Sequence, residues 1–511
     1  MRKLWSFPGG IRLPGFKQLS NSDSIRSLPV PERVYLPLRQ HIGAQARPVV
    51  TVGEHVDKGQ LLAEATSFIS APVHASTSGV VINIGSHTVP HPSGIAEECI
   101  QIEADGEDHW YPALAPLDNI DKATPTELRA AIREAGIVGL GGAVFPSAAK
   151  LKPPRSIDTL IINGVECEPY ITCDDMLMRS NAEAVLRGCV LLQRILSAGQ
   201  CMLAVEDNKP EAMQQLRKAL DILIKAAEPG AKDIELVSIP TVFPAGGEKQ
   251  LIKVLTGQEV PAGGLPYELG VVCLNVATTA AVYDAIFLGR PLVSRIVTVT
   301  GSGISRPGNY QVPLGTPIQL LLDTVGVIDG EAKLIMGGPM MGQRLPTGHA
   351  MVVKGTNCIL VNKPQPKMTP MPCIRCGSCA NACPMNLLPQ QLYWHARGKT
   401  FDKLERYQLS SCIECGCCNL VCPAHIPLVS YFRYAKTELA DQTFKRQRAE
   451  ESRLRSELRQ QRLEHMQREA EERKAKRKAA RLTSKKKTVS TKVMASPAVE
   501  NAPHSMQVSN D

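Results

Sequence analysis

The clearest chemical pattern in this 511-residue chain is a pair of cysteine motifs near its C-terminal third. The first motif has the spacing C-x2-C-x2-C-x3-C-P and contains Cys373, Cys376, Cys379 and Cys383. The second motif repeats that spacing and contains Cys412, Cys415, Cys418 and Cys422. Three thiolates, each separated from the next by two residues, can bind three irons of a cubane. Such spacing is typical of two-cluster ferredoxins. The sequence therefore predicts two 4Fe–4S clusters.

The fourth cysteine of each motif decides how the ligands divide, because in two-cluster ferredoxins it ligates the other cluster. One cluster is therefore predicted on Cys373, Cys376, Cys379 and Cys422. The other cluster is predicted on Cys412, Cys415, Cys418 and Cys383. Cys417 interrupts the second motif and is interpreted as a spare thiol. Two structural zinc sites are the alternative, but zinc sites favour C-x2-C pairs separated by longer loops.

The cysteines outside the motifs show no ligand spacing, and each is expected to be a small buried apolar residue. They are Cys99, Cys167, Cys173, Cys189, Cys201, Cys273 and Cys358. The first residues, MRKLWSFPGGIRLP, lose their apolar run at Pro8, so no secretory signal is predicted. Without export, clustered cysteines indicate metal ligands kept reduced in a cytosol rather than disulfides.

A second chemical pattern is the glycine-rich segment GIVGLGGAVFPSAAK, which spans residues 136–150 and ends in a lysine. Glycines let backbone N–H groups approach a phosphate, and a lysine can neutralise its charge. Such a loop on its own can equally be a tight turn. Three turn-like segments at residues 163–170, 245–250 and 274–278 follow apolar runs, where α/β sheets commonly bind ligands.

The elements that position these motifs alternate between helix-like and strand-like segments, which indicates a parallel α/β domain. Helical patterns cover residues 126–135 and 181–198. Strand candidates are residues 159–163, residues 201–205 and Ile234–Ile239. Residues 296–300 and 307–312, followed by a helical run near 318–324, resemble a small β-grasp ligand-binding module.

The predicted organisation is a multidomain α/β plus β chain. A barrel-sandwich β domain is expected over residues 1–115, and the α/β domain over residues 120–290. A β-grasp module is expected over residues 291–360, and an α-helical two-cluster ferredoxin-like domain over residues 365–440. Residues 441–511 are expected to form a charged tail, helical at first and disordered after residue 488. The first domain resembles biotinyl and lipoyl carriers in fold only, because the lysine those carriers modify has no counterpart in it.

Composition excludes several functional classes. No segment offers the roughly 20 apolar residues of a membrane span. The net charge of +9 belongs to the tail, because residues 445–487 hold 17 basic and 7 acidic residues. The remaining 41 basic and 42 acidic residues nearly cancel, so a nucleic-acid partner is not predicted. The tail is interpreted as a solvated charged helix, and docking to anionic lipid or an acidic partner is the alternative.

The glycine segment, the three turns and the cysteine motifs together resemble the flavoprotein subunit of respiratory complex I. That resemblance implies FMN phosphate contacts from Gly139, Gly141, Gly142 and Lys150. It implies flavin contacts from Asn163, Glu166, Glu168, Gly247, Glu248, Asn275 and Thr278. It also implies that a nicotinamide stacks on Phe145, so NADH is the expected substrate. The sequence departs from that family at Val144, Val165 and Lys249.

The order of all parts over residues 1–435 resembles a narrower family, the C subunit of the bacterial Rnf (or Rsx) electron transport complex. Phe7-Pro8-Gly9-Gly10-Ile11 and Met336-Gly-Gly-Pro-Met-Met-Gly342 belong to this resemblance. It implies a peripheral subunit at the cytoplasmic face of the bacterial inner membrane. Such a subunit takes electrons from NADH through flavin and passes them through 4Fe–4S clusters to other subunits. The transfer is coupled to ion translocation or to reduction of a redox sensor.

Two other functions remain open from the sequence. The first is a soluble flavin and iron–sulfur reductase, similar to the cobalamin reductase of bacterial microcompartments. The second is a non-enzymatic electron-carrying adaptor whose α/β domain no longer binds nucleotide. Reaction logic favours an enzyme, because a nicotinamide delivers two electrons, clusters accept one at a time, and a flavin can do both.

Overall fold

A computed structural model describes residues 2–328, 333–364, 366 and 368–491, without side chains for residues 485–491. The chain divides into two units, residues 1–435 and residues 436–511. All the motifs singled out above lie in the first unit. The expected disorder after residue 488 falls largely outside the described residues, since a helix continues to Thr491.

The N-terminal part is built from short antiparallel strands around a small apolar core. The strands are β1 (Arg26–Ser27), β2 (Arg33–Pro37), β3 (Arg47–Pro48), β4 (His55–Val56), β5 (Leu61–Glu64), β6 (Val73–His74), β7 (Gly79–Thr88) and β8 (Ala96–Ala104). Strands β2 to β8 form the antiparallel sheets β2-β8-β7-β4 and β3-β5-β6, whereas β1 pairs outside them. Alternate residues such as Val34 and Leu36 of β2 point inward and are fully buried. Gly79 has a φ of 151°, and a Cβ there would lie 2.1 Å from the Glu103 carbonyl oxygen, so the turn into β7 requires glycine.

The central part is the predicted parallel α/β domain. Its strands are β9 (Thr159–Gly164), β10 (Gln200–Glu206), β11 (Ile234–Ile239) and β12 (Val271–Asn275), in the order β11-β10-β9-β12 with parallel pairing throughout. Its helices are α1 (Pro125–Glu134), α2 (Ser147–Lys150), α3 (Cys173–Ser180), α4 (Ala182–Leu196), α5 (Pro210–Lys225), α6 (Glu248–Thr256) and α7 (Val276–Phe287). Leu160, Ile161 and Ile162 are all fully buried, because helices cover both faces of the sheet.

A mixed sheet follows the α/β domain. Its strands from this part of the chain are β13 (Ser294–Thr300), β14 (Gly308–Pro313), β15 (Lys333–Met336), β16 (Gln343–Arg344) and β17 (Cys358–Asn362). Helix α8 (Ile318–Val325) lies between β14 and β15 in the chain. The strand order is β1-β14-β13-β17-β15-β16. The N-terminal strand β1 therefore joins this sheet by parallel pairing with β14, which the sequence pattern did not indicate.

The cysteine motifs lie among short helices, as expected. The helices are α9 (Ser378–Asn381), α10 (Pro389–Arg397), α11 (Phe401–Arg406), α12 (Cys417–Leu420) and α13 (Leu428–Thr491). Gly377 and Gly416 precede α9 and α12 with φ values of 80° and 78°, so each motif makes the same left-handed turn between its second and third cysteines. In the second unit, the side chains of α13 from residue 443 to residue 484 are exposed and carry i,i+4 ion pairs such as Arg455–Glu451.

Lys354 joins the N-terminal β part to the start of the glycine-rich segment. Its side chain is buried, and Nζ donates to the carbonyl oxygens of Pro72 at 2.8 Å and Gly136 at 2.7 Å. Burial lowers the pKa of Lys354 to about 7. A lysine with a lowered pKa in the folded state makes stability rise with pH, because the unfolded chain holds the proton more tightly.

Replacing Lys354 by methionine is expected to flatten the pH dependence of stability between about pH 7 and pH 9. In the parent protein the buried charge of Lys354 lowers the free energy of unfolding. This destabilisation is fully present below the pKa of Lys354 in the folded state and declines as the pH rises toward the pKa of the unfolded chain. Urea unfolding midpoints across that range measure the difference, with the exposed Lys218→Met as the matched control. Parallel pH profiles for the parent and Lys354→Met would contradict the assignment.

Candidate cofactor site

The glycine segment and the three turns meet at one edge of the parallel sheet. Asn163 and Asn275 lie near the carboxyl ends of the neighbouring strands β9 and β12, and their Cα atoms are partners in register. The carboxyl ends of parallel strands lie at the same edge, which is where α/β proteins bind ligands. The side chain of Asn275 also packs against the glycine segment, because a Cβ on Gly141 would lie 3.2 Å from the Asn275 Cβ.

The glycine segment folds back on itself beside that edge. The Gly139 amide donates to the Phe145 carbonyl at 2.8 Å, and the Val144 amide donates to the Gly139 carbonyl at 3.0 Å. Gly141 and Gly142 at the tip are exposed, and Gly142 has a φ of 101° with open space on its Cβ side. Val144 has a φ of 43°, a left-handed conformation that costs a valine about 1–2 kcal/mol. A glycine at this position would avoid the strain.

Polar side chains fix the ends of the segment. Lys150, at the end of α2, forms an ion pair with Glu248, the first residue of α6. The Leu140 amide donates to Thr278 Oγ1 at 2.9 Å, which ties the segment to the first turn of α7. The structure therefore brings together Lys150 and Glu248, two of the residues expected around the flavin.

The side chains of the two asparagines at the strand ends form hydrogen bonds to neighbouring turns. Asn163 Nδ2 donates to the Gly246 carbonyl at 2.9 Å, which links the turn after β9 to the turn before α6. Asn275 caps α7 by accepting from the Ala277 amide at 2.8 Å, and its Nδ2 donates to Asp174 Oδ2 at 2.6 Å. Both amides thus hold the turns in place.

Glu166 is a buried carboxylate directly behind this edge. It is 7% exposed and accepts from the Asp174 amide at 2.8 Å and the Asp175 amide at 3.4 Å. Burial raises the pKa of Glu166 to about 7, although the nearby Lys17 and Lys209 ammonium groups oppose the shift. Burial likewise raises the pKa of Asp174. A carboxyl group with a raised pKa can hold or release a proton near neutral pH.

The half-buried Lys17 and the buried Lys209 complete this charged cluster, and neither was predicted from the sequence. Lys17 Nζ donates to the carbonyl oxygens of Glu166, Glu168 and Ile171 at 2.6–2.8 Å. Lys209 is 2% exposed and pairs with the fully buried Glu206 at the end of β10. No local pattern identified either lysine, because Lys17 reaches the site from about 150 residues earlier in the chain.

Glu168 contacts the turn between β15 and β16 of the mixed sheet. Its Oε1 accepts from the Met340 amide at 2.6 Å and the Met341 amide at 2.9 Å. Burial raises the pKa of Glu168, and these two backbone hydrogen bonds oppose the shift. The structure therefore places this expected flavin contact against the turn 336–342.

The cysteine motifs surround two cavities, and each cavity draws on both motifs. The first cavity is lined by Cys373, Cys376, Cys379 and Cys422. The second cavity is lined by Cys412, Cys415, Cys418 and Cys383, with Cys417 beside them. Four thiols around one small cavity form the donor set that a 4Fe–4S cluster requires. Each set is the one expected from the crossed spacing.

The second cavity borders the α/β domain. Gln250 of α6 donates to Met385 Sδ at 3.0 Å, and Cys167 packs against the apolar cluster that contains Cys415 and Cys417. On the other side, a Cβ on Gly416 would lie 3.0 Å from the Met340 carbonyl oxygen. The first cavity lies farther out, since Cys376 and its neighbour Ile374 are exposed.

Six of the seven cysteines outside the motifs are buried, as predicted, and Cys167 is half-buried. Cys173 differs from the others because its Sγ lies 3.4 Å from Glu166 Oε1. With Asp174, these groups could in principle hold a cation, as their ligand atoms lie within 4.8 Å of one another. The Glu166 carboxylate already accepts hydrogen bonds from two backbone amides, and these satisfy it without a cation.

Comparison with known protein families assigns a domain to each of these regions. Family models match for the RnfC barrel sandwich hybrid domain at residues 5–107 and the Nuo51 FMN-binding domain at residues 132–284. They also match for the SLBB domain at residues 296–344 and the 4Fe–4S dicluster domain at residues 372–426. These matches confirm the predicted FMN-binding and two-cluster domains.

Curated relatives match across most of the chain. The C subunit of the ion-translocating oxidoreductase complex of Pseudomonas aeruginosa is 48% identical over 470 residues, covering 91% of this chain and 59% of that protein. The same subunit of Haemophilus influenzae strain 86-028NP is 45% identical, covering 90% of this chain and 69% of that protein. The subunit of Pasteurella multocida is 47% identical, covering 89% and 54%. The chain thus spans between about half and two thirds of the length of these relatives.

Solved structures match more distantly. An NAD⁺-reducing [NiFe]-hydrogenase in the air-oxidised state has a TM-score of 0.44 and 19% identity, covering 60% of this chain and 62% of that chain. The H₂-reduced state gives a TM-score of 0.45, again with 19% identity, covering 64% of each chain. Separately, none of the helices in the described part of the chain is both long and apolar enough to cross a membrane.

Proposed function

The chain belongs to the family of C subunits of ion-translocating oxidoreductase complexes, and we propose that it carries electrons between NADH and the partner subunits of such a complex. It would do so as a peripheral subunit at the cytoplasmic face of a bacterial inner membrane. The transfer would be coupled to ion translocation or to reduction of a redox sensor. The family membership rests on relatives such as the Haemophilus subunit, of which the chain covers 69%.

One observation carries this proposal: a nucleotide-type sheet edge and two four-cysteine cavities occur in one unit, and the second cavity borders the α/β domain. When bound, FMN takes electrons from NADH in pairs and releases them singly, which is what clusters require. A nucleotide site with an unrelated role would not require a cluster cavity next to its domain, and a cluster cavity would not require a nucleotide site. Their adjacency favours a two-to-one electron converter over two unrelated binding sites.

We assign the FMN phosphate to the glycine segment and Lys150. The exposed tip at Gly141 and Gly142 offers backbone N–H groups without side chains in the way, and Lys150 supplies a positive charge. We also propose flavin contacts from Gly139, Asn163, Glu166, Gly247, Glu248, Asn275 and Thr278. Phe145, which is half-buried beside the tip, is proposed to contact the nicotinamide.

Replacing Lys150 by alanine is expected to weaken FMN binding by about 10- to 100-fold, because a charge-assisted contact to phosphate is lost. Glu248 also loses its ion-pair partner and then repels the phosphate. Titration of the apoprotein with FMN, followed by flavin fluorescence, measures the dissociation constant. Lys152→Ala, an exposed lysine two residues later, is the matched control. Equal affinities for the two variants would remove Lys150 from the site.

The cluster ligands follow the two cavities. We propose an inner cluster on Cys412, Cys415, Cys418 and Cys383, next to the α/β domain. We propose an outer cluster on Cys373, Cys376, Cys379 and Cys422, whose exposed rim is where a partner subunit would accept electrons. The positions of Gln250 and Cys167 against the second cavity support this order.

Two experiments test the function against its alternatives. NADH-dependent reduction of a dye by the anaerobically purified protein is expected for a converter and absent for an electron-carrying adaptor. Membrane association only when the partner subunits are co-expressed is expected for a member of a membrane complex. A soluble reductase would reduce the dye and stay in the supernatant with or without those subunits.

A further inference from the structure

The turn 336–342, with the sequence MGGPMMG, has no part in the proposed cofactor contacts, yet it receives the half-buried carboxylate of Glu168. Glu168 Oε1 accepts from two successive backbone amides of this turn, those of Met340 and Met341, at 2.6 and 2.9 Å. Successive N–H groups that converge on one anion form a nest, and such contacts are stronger than neutral hydrogen bonds. The Glu168 carboxylate is thereby engaged by the mixed sheet.

Gly338 is the residue that admits Glu168 to this nest. A Cβ on Gly338 would lie 2.0 Å from Glu168 Cγ and 2.5 Å from Oε1, so no side chain fits there while the contact exists. Gly338 does not have a positive φ, so its glycine is explained by the close approach of Glu168 and not by backbone conformation. Gly342 closes the same turn by donating to the Gly338 carbonyl at 3.0 Å.

The opposite side of the turn touches the second cysteine motif. The Met340 carbonyl oxygen faces Gly416, where a Cβ would lie 3.0 Å away. Gly416 has a φ of 78° and stands between Cys415 and Cys417. The turn is therefore packed between Glu168 of the α/β domain and the cysteine turn that follows Cys415. Lys17 fixes the other partner, since its Nζ donates to the Glu168 carbonyl at 2.8 Å.

We propose that Glu168 is a positioning residue that clamps the turn 336–342 and, through Met340, holds the inner cluster's cysteine turn against the flavin domain. This role differs from the flavin contact implied by the complex I resemblance. The proposal rests on the proposed function only where it names the inner cluster and the flavin domain as the parts that the clamp aligns. The clamp itself is a contact between two backbone amides and one side chain.

Hydrogen–deuterium exchange on the intact, cluster-loaded protein tests the clamp directly. Glu168→Ala is expected to speed exchange in the peptide containing Met340 and Met341 by about 10- to 100-fold, since the acceptor of both amides is removed. Gly338→Ala is expected to do the same from the other partner, because its Cβ displaces the carboxylate. Glu168→Gln, which keeps an oxygen acceptor, is expected to give an intermediate rate. The exposed Glu32→Ala is the control and leaves exchange unchanged.

Two further readouts separate a clamp from a flavin contact. FMN content is expected to be retained in Gly338→Ala. In Glu168→Gln, the midpoint potential of one of the two clusters is expected to rise, because a nearby negative charge is lost. Loss of FMN in Glu168→Ala with unchanged exchange of the turn would overturn the proposal and make Glu168 a flavin contact. Faster exchange throughout strand β9 in both Glu168→Ala and Gly338→Ala, with no excess at the turn, would also overturn it. These readouts need no NADH oxidation, so they stand even if the proposed function fails.

Discussion

Alanine at Cys376, Cys379 and Cys422 together is expected to leave about four irons in the purified protein, whereas alanine at Cys376, Cys379 and Cys383 leaves almost none intact. The first two substitutions remove the outer cluster in either variant. Under crossed ligation Cys422 belongs to that same cluster, so its loss costs nothing more. Cys383 belongs to the inner cluster, and removing it strips one thiolate from the only cluster that remains.

Iron and sulfide analysis under anaerobic conditions, with electron paramagnetic resonance of the reduced protein, distinguishes the two triple variants. Cys417→Ala is the control and is expected to keep about eight irons, because the crossed assignment gives Cys417 no cluster. If ligation followed each motif separately, the two triple variants would exchange their results. That outcome would contradict the inner and outer clusters proposed above.

Valine at Gly141 is expected to reduce FMN content to less than about one tenth while leaving iron content unchanged. Even a Cβ at this position would lie 3.2 Å from the Asn275 Cβ and 3.4 Å from its Cγ, tighter than ordinary contacts. A branched side chain therefore pushes the glycine tip away from the sheet edge and also covers the backbone N–H groups proposed to bind phosphate.

The control for this prediction is Gly199→Val, at an exposed glycine of the same domain where a Cβ would lie an ordinary 3.7 Å from its nearest neighbour. Flavin is measured after acid release from the purified protein, and iron in the same samples. Retention of FMN by Gly141→Val would place the phosphate elsewhere. Loss of iron together with FMN would indicate a folding defect.

Local patterns in the sequence predicted the α/β domain well. The strand Ile234–Ile239 was predicted with the boundaries it has, and the helix predicted at residues 126–135 is Pro125–Glu134. Thr124 caps that helix in a capping box with Glu127, a signal contained within four residues. Buried strands of a parallel sheet are continuous apolar runs, so they too are recognisable from a short window.

Contacts between distant segments could not be predicted in this way. Lys17 bonds to carbonyl groups about 150 residues later, and strand β1 pairs with a strand more than 280 residues later. Neither segment has a periodicity that names its partner. Glu168 shows the same limit, because its position in the turn was predictable but its bond to the Met340 amide was not. The sequence therefore indicated which residues approach the site but not which of them serve to hold other parts in place.

We propose above that one chain converts paired electrons from NADH into single electrons on its clusters. Anaerobic titration of the purified protein with NADH, after assay of iron, sulfide and flavin, tests it most directly. About eight irons and one FMN per chain are expected, with bleaching of both flavin and cluster absorbance as NADH is added. Eight irons without flavin, and no change in cluster absorbance on adding NADH, would contradict it and leave an electron-carrying adaptor.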